Sequence, residues 1–178
     1  MRKYIILILF IFTLNFSLSF AAPLTGGVEY NVEDARLELQ NNRPCGIDYW
    51  LMQDNFTDIN YNENRKMLLN GNVTLTDRTL AQFSDSSYGV VYKKDLRHVW
   101  YYNQDGTLLY AEERVSLDYP YRAYKYTPEA ELVNMSLRVS DSETFIFDKL
   151  GRLIGHWIGS KCYDESGNVT MTRQIKQD

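Results

Sequence analysis

Four segments in the C-terminal half of the chain share one outline: an aromatic, a short polar turn that usually carries glycine, one more residue, then an aliphatic. They are 102–108 (YNQDGTL), 126–132 (YTPEAEL), 147–153 (FDKLGRL) and 163–169 (YDESGNV). Trp100, Tyr124 and Phe145 each stand two residues before the first aromatic of a unit. Successive strand residues point to opposite faces, so Trp100 with Tyr102, Tyr124 with Tyr126, and Phe145 with Phe147 share a face. Glycine supplies the positive φ that a short bulged hairpin connection needs, and the aliphatic returns on the aromatic face. The pattern predicts a mainly β fold, an antiparallel meander of consecutive hairpins. Gly106, Gly151 and Gly167 are expected in equivalent turns, and Trp100, Tyr102, Leu108, Phe145, Phe147 and Leu153 in one cluster. Spacing between units shortens along the chain, which excludes a repeat of fixed period. A weaker version begins at Tyr92, with Leu96 in the glycine position.

These units resemble the aromatic-Asp-x-x-Gly-x-Leu repeats of YD-repeat (Rhs-type) proteins and are similar in style to MORN-like hairpin repeats, over residues 99–173. Segment 147–153 is nearest the pattern and 163–169 next; Ala130 replaces the glycine, and Asn103 and Thr127 replace the aspartate. The resemblance implies hairpin geometry. YD-repeat proteins are far longer and wrap into shells, which four units cannot do, so it implies no activity.

At the other end of the chain, Arg2 and Lys3 precede a mostly apolar run without charge, and Ser19-Phe20-Ala21 fits the small-x-small pattern a signal peptidase reads. Residues 1–21 are expected to be a secretory signal peptide, with Ala22 the mature N-terminus. Residues 22–178 then form one secreted domain, an irregular N-terminal segment over 22–71 followed by the hairpin meander over 72–175. The apolar run falls short of the ~20 residues a spanning helix needs, so no stable membrane span is expected after cleavage. The product would be secreted, periplasmic or on the cell surface. A net charge of −4 without a basic run gives no electrostatic footprint for nucleic acid. Export also places Cys45 and Cys162, the only cysteines, where thiols oxidise. Neither belongs to a C-x-x-C or lies near a histidine pair, so a Cys45–Cys162 disulfide is expected.

Ahead of the hairpins, Val28, Val32, Ala35 and Leu39 recur at helical spacing, with Asn31 and Asp34 placed to cap reciprocally. Ala35, Leu37 and Leu39 also alternate as in a strand; the short N-terminal helix is the favoured expectation. Segment 47–52 reads as a strand, and 53–64, rich in Asn and Asp, as loop. Asn70-Gly71 marks a turn, after which Val73 and Leu75 alternate as in a strand. Further strands are expected through 79–83 and 88–92, on either side of an Asp85-Ser86-Ser87 turn.

Motifs that carry chemistry are absent. His98 and His156 each lie in a strand pattern beside a tryptophan, without the ligand spacing of a metal site. No serine sits in a Gly-x-Ser-x-Gly elbow. Glu112-Glu113, Asp141 with Glu143, and Asp164-Glu165 read as solvated strand ends or turns. Asn55, Asn72, Asn134 and Asn168 stand in Asn-x-Ser/Thr patterns, glycan acceptors only in a eukaryotic secretory setting. No catalytic, cofactor or metal site is expected, and the chain is read as not an enzyme.

The aromatics carry what functional potential the sequence has. Ten of the 14 tyrosines fall between Tyr88 and Tyr163, so the hairpin region is where a contact surface would form. A single open sheet has two faces and needs only one covered. Trp100, Tyr102, Tyr119, Tyr121, Tyr124, Tyr126 and Trp157 are the candidates for an aromatic binding face, taking a protein or a carbohydrate. The expected function is a secreted, non-enzymatic β-sheet binding or structural module. The alternatives are a small secreted hydrolase with an unidentified carboxylate pair, and a secreted inhibitor or immunity-type protein.

Overall fold

The computed structural model describes residues 30–174, so the proposed signal peptide and cleavage site lie outside the described residues. Ten strands follow one another: β1 (Arg78–Phe83), β2 (Tyr88–Tyr92), β3 (Asp95–Tyr102), β4 (Leu108–Arg114), β5 (Tyr121–Tyr126), β6 (Leu132–Arg138), β7 (Glu143–Asp148), β8 (Leu153–Ile158), β9 (Lys161–Tyr163) and β10 (Val169–Gln174). Each pairs antiparallel with the next, and β1 pairs with β10, so the meander closes into a barrel. Closure rests on a short seam, Gln82 opposite Gln174 and Phe83 opposite Arg173. It removes the sheet edges that an open meander would leave unpaired.

The hairpin turns at one end of the barrel are built alike. Gly106, Gly151 and Gly167 have φ of 79°, 81° and 82°. In each turn the glycine amide donates to the carbonyl three residues back, and that same residue's amide donates to the carbonyl four ahead. Asp148 Oδ1 takes the amides of Leu150 and Arg152, and Asp164 Oδ1 those of Ser166 and Asn168. Asn103 Oδ1 and Thr127 Oγ1 do the same in their own turns, so both substitute for aspartate as acceptors. Ala130 takes the glycine position at φ 63°. Residues 83–87, where the sequence predicts only an Asp85-Ser86-Ser87 turn, repeat the backbone pattern, with Ser86 at φ 70°. No such unit begins at Tyr92, which ends β2 just before Lys93 and Lys94 turn the chain at the opposite end.

Among the described residues, three helices precede the barrel. In α1 (Val32–Gln40), Asn31 accepts from the amides of Glu33 and Asp34, and Asp34 returns the bond to the Asn31 amide, the capping box expected. Helices α2 (Tyr49–Gln53) and α3 (Tyr61–Leu69) replace the expected strand over 47–52 and part of the loop over 53–64. Asp48 caps α2 by accepting from the Trp50 amide, a local signal that the apolar content of the segment obscured. Residues 73 and 75 join no strand; only an isolated bridge from Thr74 to Thr79 forms.

These helices lie against the outside of the barrel, and the protein's hydrophobic core forms there. Met52 of α2 and Leu68 of α3 pack with Leu80, Tyr88, Val90, Trp100, Tyr102 and Leu108. Ala35 and Leu39 of α1 pack with Tyr124, Tyr126, Leu137, Phe145 and Phe147, with Leu153 against them. The six residues expected in one cluster therefore share the outer face but divide between two clusters, because the sheet curls and carries them to different sides. Phe147 and Leu153 are register partners, as one face requires.

Helix α3 is also tied to the barrel by a buried polar network. Asp58 accepts from Tyr88 Oη at 2.6 Å and Asn64 Nδ2 at 2.9 Å. Asn64 Oδ1 in turn accepts from Arg78 Nε at 2.7 Å, and Arg78 also pairs with Asp77 and Glu63. Every buried charge in this group is met by a partner, the condition for tolerating such a network.

Candidate functional site

With the aromatic face turned outward, residues of opposite parity fill the inside. They line a cavity of about 770 Å³, within the range of small-molecule pockets. Ten strands set the barrel wide enough that side chains do not fill it. Phe83, Val91, Val99, Tyr121, Ile146, Trp157 and Met171 provide apolar and aromatic wall. Between them stand four cations, Arg114, Lys125, Arg138 and Arg173, and one carboxylate, Glu112; Asp85 and Asp141 come from connecting loops.

The polar groups are organised around Glu112. Tyr101 Oη donates to Glu112 Oε2 at 3.0 Å, and Arg114 Nε donates to Oε1 at 3.3 Å. Burial alone would push the Glu112 carboxyl up, but Arg114, Lys125 and the Tyr101 hydroxyl together hold it below the usual range. Tyr101 moves the other way, lifted by burial and by the Glu112 charge. Lys125 is the register partner of Glu112 across β4 and β5, yet makes no ion pair or hydrogen bond among the described residues. Its ammonium lies 4.0 Å from the centroid of the Tyr101 ring, a cation–π contact. Burial lowers the Lys125 pKa from its ordinary value, against the pull of Glu112.

The two remaining arginines are anchored by backbone oxygens. Arg138 donates through Nε to the Ser140 carbonyl and through Nη2 to that of Asp141. Arg173 donates through Nε and Nη2 to the Gly159 carbonyl and lies 4.4 Å from the Trp157 ring centroid. Burial, with Arg138 nearby, lowers the Arg173 pKa.

Only Tyr121 and Trp157 of the expected aromatic binding face line this cavity. Trp100, Tyr102, Tyr124 and Tyr126 are buried beneath the helices, none more than 3% exposed. Tyr119 stacks on Tyr121 in the loop between β4 and β5, its hydroxyl bonded to Asp141. The seven residues therefore do not form one surface; the helices cover the outer face, and closure gives the inner one a different role.

The expected disulfide is also corrected. Both cysteines are free. Cys162 lines the cavity, between Trp157 and Met171 in the register, whereas Cys45 packs on the outer cluster with Tyr124 and Tyr126. The barrel wall separates the thiols, so sequence order at opposite ends of the domain did not translate into proximity.

The histidines stand away from the cavity. His98 Nδ1 meets Asp95 at 2.7 Å and Nε2 meets Glu113, so neither ring nitrogen is left open. His156 Nε2 meets Glu143 at 2.9 Å, and its ring stacks on Phe145. Among the described residues no group of three potential ligands could hold a metal ion, and no helix is long and apolar enough to cross a membrane. Asn134, one of the Asn-x-Ser/Thr positions, faces the cavity from β6.

The sequence reading missed Glu112, Arg114, Lys125, Arg138 and Arg173 as a group. Their signal is period-2 alternation in antiphase with the outward aromatics, as in Glu112-x-Arg114, Asn134-x-Ser136-x-Arg138 and Lys125 between Tyr124 and Tyr126. In an open sheet such residues belong to solvent; in a closed one they belong to the interior.

Comparison with family models, curated proteins and solved structures finds no match to this chain.

Proposed function

We propose that this protein is a small-molecule binding module that takes its ligand into the barrel. The observation that carries the reading is the cavity itself, a space of about 770 Å³ inside the barrel lined by aromatic, aliphatic and charged side chains. A barrel serving only as a structural element gains by filling its interior, since unfilled volume forfeits packing contacts. Here Tyr88, Trp100, Tyr102, Tyr124, Phe145 and Phe147 pack on the outer face, and the interior keeps unfilled space with polar groups on an apolar wall. That combination, mostly apolar lining with a few placed polar groups, is how small-molecule sites are built.

A non-enzymatic role agrees with how the inner carboxylate is used. Glu112 is held by Arg114 and Tyr101 and kept below the usual carboxylate range, the opposite of a general acid. We read residues 1–21 as an export signal, which would place the binding event outside the cytoplasm. The test is native mass spectrometry of the purified protein together with intrinsic tryptophan fluorescence during titration with a panel of small amphipathic compounds. A saturable complex, weaker by mass spectrometry when Ile146→Trp narrows the cavity, supports the reading; no binding by any compound rejects it.

A further inference from the structure

We infer that the barrel interior recognises an anionic group, a carboxylate or a phosphate, carried on an apolar body, with Lys125 as the principal contact and Arg138 and Arg173 beside it. This rests on the binding-module reading and names the ligand class.

Four cations stand against Glu112 and the loop carboxylates Asp85 and Asp141, with Asp141 Oδ1 3.9 Å from Arg138 Nη2, so the cavity lining keeps one positive charge in excess. Charges removed from water are costly unless paired, so this excess has to be met by something. The hydrogen-bond pattern locates where. Glu112 is already committed to Arg114 and Tyr101. Lys125 Nζ has three donor hydrogens and no acceptor among the described residues. Arg138 uses Nε and Nη2 on the carbonyls of Ser140 and Asp141, and Arg173 uses the same two atoms on Gly159. The Nη1 of each is left without a protein acceptor among the described residues. The backbone bonds hold the two guanidinium groups in place while sparing a donor face, an arrangement suited to a planar or tetrahedral oxyanion.

The aromatic contacts act in the same direction. Lys125 over Tyr101 and Arg173 over Trp157 are cation–π pairs, which hold a cation in a dry site without neutralising it. Each cation therefore keeps its charge available to a ligand. Phe83, Val91, Val99, Ile146 and Met171 supply wall for an aliphatic or aromatic body. Uncharged ligands would leave the cations as they are and gain only from that wall. Cationic ligands would add to the excess.

The experiment uses neutral N-phenyl-1-naphthylamine as the fluorescent reporter, displaced by dodecanoate, dodecyl phosphate or dodecanol. At least one of the two anions should compete about ten- to a hundredfold more tightly than dodecanol, the range expected for charge-assisted hydrogen bonds. Whichever is tighter distinguishes carboxylate from phosphate. Lys125→Met should bring anion and alcohol to within a few-fold of each other, with saturable reporter binding and an unchanged far-UV circular dichroism spectrum showing that the barrel is folded. Lys125→Gln serves if the methionine variant does not fold. If dodecanol competes as well as both anions, or the preference survives loss of Lys125, the anion assignment is overturned and the binding-module reading stands. If neither the reporter nor any competitor binds, both fall.

Discussion

Lys125 and Glu112 are direct register partners across two neighbouring strands, yet the ammonium turns from the carboxylate and lies over the Tyr101 ring instead. A lysine facing a carboxylate across a sheet would ordinarily close an ion pair. Here Arg114 and Tyr101 already occupy the carboxylate, so Lys125 is left as a cation in a site that opposes cations.

This makes Lys125 expensive to the apo protein. Lys125→Met should stabilise the unliganded protein by about 1 kcal/mol or more at neutral pH, since an apolar replacement removes a buried charge. The sign with pH follows from the depressed pKa. The folded state binds the proton less well than the unfolded chain, whose lysine titrates near 10.5. The penalty is therefore complete below the folded pKa and fades as pH rises toward 10.5. The advantage of Lys125→Met should shrink over that window. Paired urea titrations across alkaline pH measure this difference directly, and subtraction removes the tyrosine titrations common to both proteins.

The turn glycines should differ in what they tolerate, although their backbones match. A Cβ on Gly106 would meet the Tyr61 ring at 2.7 Å, and on Gly151 the Gln40 side-chain amide at 2.6 Å. Around Gly167 nothing lies within 4 Å. Alanine at Gly167 should cost about 1–2 kcal/mol, the left-handed backbone alone. Gly151→Ala adds displacement of a flexible amide, and Gly106→Ala the displacement of a ring, so the losses should rise in that order. Ala130→Gly should instead gain stability by relieving φ 63°. Denaturation midpoints of the four variants test the ranking.

These turns also mark what was legible beforehand. The aromatic-turn-aliphatic outline has its physical cause in bonds among residues at most four apart, so it survives as a sequence pattern. The strands at 79–83 and 88–92 and the capped helix near Asn31 were legible for the same reason. Barrel closure was not, because it depends on Phe83 meeting Arg173, two residues far apart in the chain with nothing distinctive between them. Without closure, Lys125 and Arg138 look like solvent-facing charges and Trp100 and Tyr102 like an exposed platform. The assignment of inside and outside was therefore reversed for the hairpin face. Helix α2 was missed because its short apolar run reads equally as a strand, and α3 because its few apolar residues cover a surface supplied by the barrel.

The Asp58 network should prove a main attachment of those helices. Asp58→Ala would leave Tyr88 Oη and the Asn64 amide without their acceptor in a buried setting, and remove the bond to the Asn60 amide. A loss of about 3 kcal/mol or more is expected. Asp58→Asn keeps an acceptor oxygen but sets an amide against existing donors, so it should fall between wild type and alanine. Urea denaturation followed by tyrosine fluorescence and by far-UV circular dichroism should give one coincident shift. A helix signal that melts before the barrel would show that the helices can detach separately.

The separation of the two thiols by the barrel wall gives the last prediction. Electrophoretic mobility should be the same with and without reductant, and adding reductant should not lower the thermal midpoint; a bridge would contribute about 2–4 kcal/mol to be lost. Burial pushes both thiols up, with Glu113 adding to the effect at Cys45 and Thr170 partly opposing it at Cys162. Thiolate is the reactive form, so both should react slowly with a disulfide reagent at neutral pH, and Cys162, the more buried, more slowly than Cys45. The two differ in what a ligand does to them. A molecule inside the barrel shields Cys162, which lines the cavity, and leaves Cys45 on the outer face untouched. Labelling rates of Cys45→Ser and Cys162→Ser, each with and without the tightest anionic competitor, should therefore show protection only where Cys162 remains. Equal protection of both thiols would mean that the ligand tightens the whole domain instead of filling the cavity, and protection of Cys45 alone would place it outside the barrel.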